Sequence, residues 1–180
     1  MKEILLLAGF GGQGVQALGK ALAYAGGLQG LHVTMDAQYS GNMRGSPSNC
    51  TVIISDRPIG SPREHCANRL IVFSQLALDK LVERVTQGGS VFYNSTLAAP
   101  PQELRQDLSF LPCPATELAE QIGDPRCANS VMAGFLSTQL SYLEREKLRE
   151  GLRYALGAKP ALLEINLRAF DAGAGSSAIP

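Results

Sequence analysis

The sequence predicts an α/β protein: an open Rossmann-like sheet, mostly parallel, with helices on both faces. Three observations predict it. The apolar run Ile4 to Ala8 passes directly into a glycine-rich turn, Gly9-Phe10-Gly11-Gly12-Gln13-Gly14. After the turn, Val15, Leu18, Leu22 and Ala25 recur at the spacing of one helix face. Short apolar runs then alternate with helical patterns along the chain, as βα units do. With 180 residues, 45% of them hydrophobic and 18% charged, the chain can bury one good core and is too short for two large ones.

The first helix is expected to end at Gly26-Gly27, and strand two to cover Leu31 to Met35. Asp36 to Ser48 is rich in Gly, Ser and Asn, lacks apolar periodicity and reads as a long ordered loop. It is too irregular to hold the crossover helix of a parallel neighbour, so strand three, Cys50 to Ile54, is expected to run antiparallel in a mixed sheet. Asp56 to Pro62 is rich in turn residues. Leu70 to Phe73 then reads as a buried strand, Leu76 to Val85 as a helix closed by Gly88-Gly89, and Val91 to Tyr93 as another strand. Phe110 to Pro114 carries two prolines and suits a sheet edge. Helices are expected at Ala115 to Ile122, at Val131 to Leu140 with Asn129 as its cap, at Glu146 to Leu156 and at Pro160 to Phe170. Residues 1–171 form one domain in this reading, and 172–180 a flexible tail of small residues.

Sixteen basic residues balance sixteen acidic ones, so no net field draws the chain to nucleic acid or to an anionic membrane surface. No apolar stretch approaches the roughly 20 residues of a membrane span. Met1-Lys2-Glu3 runs straight into the first strand with no signal-peptide core, which points to the cytoplasm. Cys50, Cys66, Cys113 and Cys127 are scattered, without a C-x-x-C pair and with only His32 and His65 to help. That spacing argues against an iron–sulfur cluster or structural zinc within the chain, and leaves four thiols. Cys50 reads as a small buried hydrophobe. Cys66 beside His65 offers a reactive pair on paper, but sequence neighbours seldom point at each other.

Gly9, Gly11 and Gly14 satisfy G-x-G-x-x-G, where missing Cβ atoms let backbone approach a pyrophosphate at a helix N-terminus. The same turn also serves simply to pack a first helix closely on a first strand, and both readings stand. Asp36 falls 22 residues after Gly14, about where an acidic residue holds the ribose in NAD-binding folds. A free-standing NAD-binding protein is therefore a competing reading. In a doubly wound sheet strand two lies beside strand one, so a loop carrying Tyr39, Met43 and Arg44 would share a crevice with the glycine turn. No catalytic constellation stands out: there is no Ser-His-Asp set, and neither histidine lies in a motif.

The opening Gly9-Phe10-Gly11-Gly12-Gln13-Gly14-Val15, with Tyr39-Ser40-Gly41-Asn42-Met43-Arg44-Gly45, Asn49-Cys50-Thr51-Val52, Ser55-Asp56, Pro58-Ile59 and Ser61-Pro62, resembles the gamma subunit of 2-oxoacid:ferredoxin oxidoreductases. Asn129 with its apolar helix and Asn166-Leu167-Arg168-Ala169-Phe170 look like later landmarks of the same family. The resemblance implies an enzyme whose alpha and beta subunits hold thiamine diphosphate and decarboxylate a 2-oxo acid. Iron–sulfur clusters, including those of a ferredoxin-like delta subunit, pass electrons to ferredoxin. The product is an acyl-CoA, and the gamma domain is associated with admitting coenzyme A. No cofactor is then expected on this chain alone, and in isolation it would form a homodimer at most. Asn49 to Ser55 leans the substrate towards 2-oxoglutarate.

On that reading the backbone N–H groups of Gly11, Gly12, Gln13 and Gly14 offer an anion site for the pyrophosphate of coenzyme A. Arg44 would bind a phosphate or an acidic group of the alpha subunit, with Tyr39 and Met43 adding apolar area and Gly45 and Asn49 flanking them. The family's loop commonly reads Tyr-Gly-x-Glu-x-Arg-Gly-Gly. Here Ser40, Asn42 and Ser46-Pro47 depart from it, Asn68 and Arg69 stand where an aspartate often precedes the strand, and Asp36 stands where proline is common.

Overall fold

A computed structural model describes residues 1–39, 47–100, 105–157 and 160–176. Its centre is β1 (Lys2–Phe10), in which alternation sends Leu5 and Leu7 to one face of a sheet and Leu6 and Ala8 to the other, all four buried. A strand with both faces apolar needs a layer on each side. α1 (Val15–Leu28) supplies part of the first, with Leu18, Ala21, Leu22 and Ala25 fully buried. β2 (His32–Tyr39) and β3 (Pro47–Ser55) follow as an antiparallel pair, then β4 (Ala67–Val72), α2 (Gln75–Leu81) with a 3-10 turn at Val82–Arg84, β5 (Val85–Asn94) and β6 (Ser109–Cys113). α3 (Ala115–Ile122), a 3-10 turn at Pro125–Cys127, α4 (Ala128–Gln139), α5 (Arg145–Leu156) and α6 (Pro160–Gly175) complete the chain.

The six strands lie in the order β2-β3-β1-β4-β5-β6. β1, β4, β5 and β6 are parallel neighbours, and β3 is antiparallel to both β1 and β2. α1, α3, α4, α5 and α6 cover one face through Val15, Leu22, Ala119, Phe135, Leu152 and Phe170. α2 packs on the other through Ala77 and Leu78, against Leu6, Leu70, Val72 and Val91. The mixed, mostly parallel sheet with helices on both faces is the architecture the sequence predicts.

Several elements differ from the sequence-based expectation. β2 is an edge strand and not the neighbour of β1, because β3 inserts between them. The segment read as a loop from Asp36 to Ser48 is strand at both ends: Asp36 pairs with Thr51 and Tyr39 with Ser48, so β2 and β3 form a hairpin. α1 runs through Gly26, which packs flat against Val33 and Ile54, and closes when the Gln29 N–H reaches the Gly26 carbonyl at 3.2 Å. Gly88-Gly89 lies inside β5, at an irregularity opposite Ala67 and Arg69, and does not close a helix. Residues 172–175 are helical where a flexible tail was expected, and Gly173 is buried against the Val131 carbonyl. Residues 177–180 lie outside the described residues.

Candidate functional site

The glycine turn sits at the carboxyl end of β1 and is held by one side chain. Gln13 Oε1 accepts from Phe10 N at 2.7 Å, and Gln13 Nε2 donates to the Phe73 carbonyl at 3.0 Å, which ties the turn to the end of β4. A Cβ on Gly9 would fall 2.6 Å from that Oε1. Gly12 (φ 102°) and Gly14 (φ 75°) occupy the left-handed region that glycine adopts without strain. Gly14 is the N-cap of α1 and provides no side-chain cap, so among the described residues the first-turn N–H groups of that helix have no side-chain acceptor. The two neighbouring helix starts are capped. Ser74 Oγ accepts from Ala77 N at the start of α2, and Asn94 Oδ1 and Thr96 Oγ1 accept from Thr116 N and Glu117 N at the start of α3.

A cleft opens on each side of the turn. Towards α3 and α4, about 240 Å³ is lined by Gly12, Gln13, Asn94, Thr116, Arg126 and Ala128, among others. Arg126 is exposed and held by Asp124, with Nη2 to Oδ2 at 2.7 Å. The guanidinium lowers the Asp124 pKa below its usual range, chiefly through that hydrogen bond. Asn94 is fully buried and donates through Nδ2 to Thr116 Oγ1 at 2.8 Å. Towards α2, a smaller cleft of about 70 Å³ is lined by Phe10, Pro47, Asn49, Ser74, Leu76 and Lys80, with others.

Sheet register brings the β2–β3 hairpin to the same edge, since Gly9 pairs with Ser48 and Phe10 with Pro47. Tyr39 ends β2 there, and Asn49 pairs with Ala8 and lines the smaller cleft. The glycine turn and the hairpin therefore do share an edge, by way of β3. Met43, Arg44 and Gly45 fall in residues 40–46, outside the described residues. Gly11 is exposed in the turn, and Gly12 and Gln13 line the larger cleft. The Gln13 carboxamide is committed to the fold.

Asp36 is not a ribose ligand of the dinucleotide kind. It lies three residues before the end of an edge strand that is separated from β1 by β3, and its carboxylate is 3.7 Å from Arg63 Nε. The NAD reading loses its acidic anchor. Asn129 does not cap its helix: it lies within α4, whose N-cap is Cys127, and its side chain is turned to Gly14. Sequence reasoning missed Asn94, Thr116, Arg126, Ser74 and Lys80. Asn94-Ser95-Thr96 directly after an apolar strand was the available signal, since strand carboxyl ends are where open α/β sheets bind ligands.

Three cysteines are buried in the core, and Cys66 is exposed. Among the described residues no three His, Cys, Asp or Glu side chains come together as a metal site requires. No helix among the described residues is long and apolar enough to cross a membrane.

The profile of the pyruvate ferredoxin/flavodoxin oxidoreductase family matches residues 4–176. Ketoisovalerate oxidoreductase subunit VorA of Methanothermobacter marburgensis is 34% identical over 169 residues, 93% of this chain. The chain spans only 35% of that relative's length. 2-Oxoglutarate synthase subunit KorC of Methanocaldococcus jannaschii is 32% identical over 176 residues, covering 96% of this chain and 92% of KorC. The keto/oxoacid ferredoxin oxidoreductase gamma subunit of Geobacter sulfurreducens shares the fold with a TM-score of 0.82 at 24% identity, over 96% of this chain and 94% of that one. A 2-oxoglutarate:ferredoxin oxidoreductase of Magnetococcus marinus, solved with 2-oxoglutarate, coenzyme A and succinyl-CoA, shares it with a TM-score of 0.86 at 24% identity. That match covers 97% of this chain and 30% of the other. Agreement in sequence along nearly the whole chain leaves one assignment: the chain belongs to the pyruvate ferredoxin/flavodoxin oxidoreductase family.

Proposed function

We propose that this chain is the gamma component of a thiamine diphosphate-dependent 2-oxoacid:ferredoxin oxidoreductase, inactive alone, which presents coenzyme A to the reaction and helps assemble the complex. The observation that carries this reading is the edge shared by the glycine turn and the β2–β3 hairpin, with a cleft on each side. A coenzyme A tail and a partner subunit could both be met there. Thiamine diphosphate, held by alpha and beta subunits, supplies the decarboxylation chemistry, and clusters in other subunits carry electrons to ferredoxin. This chain's own contribution is binding and orientation: the turn N–H groups face an anion, and the hairpin, with Tyr39 at its base and Met43, Arg44 and Gly45 beyond, docks on the alpha subunit. The relatives carry both ketoisovalerate and 2-oxoglutarate in their names, and we favour 2-oxoglutarate on the Asn49 to Ser55 strand. A cytoplasmic complex fits this chemistry.

The test is to recover the tagged chain anaerobically from its native cells, identify what accompanies it, and assay dye reduction with 2-oxoglutarate, pyruvate, ketoisovalerate and indolepyruvate in turn. Activity that requires coenzyme A and co-purifying thiamine-dependent subunits is the expected result. A chain recovered without them, in a fraction that reduces no dye, would defeat the reading.

A further inference from the structure

The two edges of the sheet are unlike. β6 is five residues long and carries Pro112, which has no N–H to offer a further strand. β2 has none of the devices that blunt an edge. Its eight residues pair with β3 without a register shift and include no proline and no lysine, and its one carboxylate, Asp36, is turned to Arg63. Among the described elements β2 packs mainly on β3 and α1, so its outer row of N–H and C=O groups faces no strand. Beside that edge, on the helical face of the sheet, lies an open groove of about 500 Å³ lined by Tyr24, Met35, Tyr154 and Ala155, among others. Tyr24 and Tyr154 stack there with ring centroids 4.1 Å apart, and Tyr154 is 62% exposed. A regular unpaired edge with an exposed aromatic shelf along it is a surface that another chain covers.

From this we infer that the occupant is a second copy of this chain, joined β2 to β2 in antiparallel fashion about a two-fold axis, so that two six-stranded sheets become one. The residues of β2 suit pairing with themselves. A two-fold axis perpendicular to the sheet keeps each face with its own kind. Val33, Met35 and Ala37, on the face that packs against α1, meet the same residues of the second copy, and His32, Thr34, Asp36 and Gln38 meet theirs. Directly opposed residues must therefore share a face, which restricts the register. Centring the axis on Asp36 would set two carboxylates against each other. Centring it on Thr34 leaves Ala37, Gln38 and Tyr39 of each strand beyond the pairing. Centring it on Met35 opposes Met35 to Met35, Val33 to Ala37, Thr34 to Asp36 and His32 to Gln38, with no like charges facing. The two tyrosine shelves then flank the seam on the same side, and the two β2–β3 hairpins point to its opposite ends. Because β6 offers no matching edge, assembly closes at two copies. This interface is independent of the coenzyme A reading.

The test follows the full chain by sedimentation velocity over about 1–100 μM, a range that brackets a micromolar pairing. A reversible monomer–dimer equilibrium is expected. Ala37→Lys, at an exposed edge position, should weaken it by about tenfold or more while leaving the far-ultraviolet circular dichroism unchanged. Hydrogen exchange supplies a second reading: outward-facing amides of β2, quick to exchange in the monomer, become protected as concentration rises, and those of β6 do not. In a Cys66→Ser background, Met35→Cys should form a disulfide between copies under mild oxidation, and Ser109→Cys on β6 should not. If Ala37→Lys fails to fold, exchange and cross-linking decide. A chain monomeric throughout, a dimer in which β2 stays unprotected, or assembly beyond two copies would each overturn the inference. So would β2 amides protected only once other subunits are present, which would give the edge to a different partner.

Discussion

At the scale of single residues, chemistry here is decided by burial more than by residue type. Burial pushes the Cys50 thiol up to about 12, with Asp36 adding to the shift, and burial pushes Cys113 up to about 12 as well. In the native chain Cys66 is therefore expected to react first with a thiol reagent and the other three only on unfolding, which a timed labelling count by mass spectrometry checks. The same shifts set a pH dependence. A thiol whose pKa is higher when folded contributes stability that is complete below its ordinary value of 9.0 and is lost progressively as pH rises towards about 12. Melting temperature should fall from pH 8.5 to 10.5, and less steeply in Cys50→Ala. Gln13→Ala should cost about 1–3 kcal/mol in urea unfolding, because it strips partners from Phe10 N and the Phe73 carbonyl together. Cys50 was readable as a core residue because it opens the mostly apolar run Cys50 to Ile54. Asn129 was misread because a polar residue just ahead of an apolar helix looks the same whether it caps that helix or faces another one.

At the scale of elements, two helices approach each other closely at glycines. A Cβ on Gly134 would run into the Phe170 carbonyl, and one on Gly173 into the Val131 carbonyl, so α4 and α6 touch backbone to backbone. Ser130 Oγ and Asn166 Oδ1 lock the same pair at 2.5 Å. Gly134→Ala should force the helices apart and cost about 1–3 kcal/mol. Gly27→Ala, at an exposed helical position where a Cβ meets nothing within 4 Å, should instead stabilise by about 0.5–1 kcal/mol, and paired denaturant melts of the two variants make the comparison. Periodicity revealed α3 to the residue, and placed α1, α4 and α5 closely. It failed where glycine was taken as a stop: Gly26 lets α1 lie on Val33 and Ile54, and Gly88-Gly89 absorbs an irregularity inside β5. A glycine in sequence does not say whether it ends an element or lets one pass close to another.

At the scale of the whole molecule, the antiparallel β3 was legible from the missing crossover helix, but its place between β2 and β1 was not, because strand order is set by packing across the entire sheet. That order makes a prediction. Backbone amides of β3, β1 and β4, paired on both sides, should exchange slowest in hydrogen–deuterium exchange, and those on the outer edges of β2 and β6 much sooner. A β2 packed beside β1 would give the reverse ranking for β2 and β3. The hairpin has a further consequence. Tyr39 against Ser48 and Phe10 against Pro47 fix where the chain leaves the sheet and where it returns, whatever residues lie between. The docking proposed for segment 40–46 would therefore be tunable by changes of sequence there, while the strand pairs on either side of it hold the frame. Replacing that segment with the corresponding KorC segment should leave the melting temperature within a few degrees while altering which subunits the chain retains.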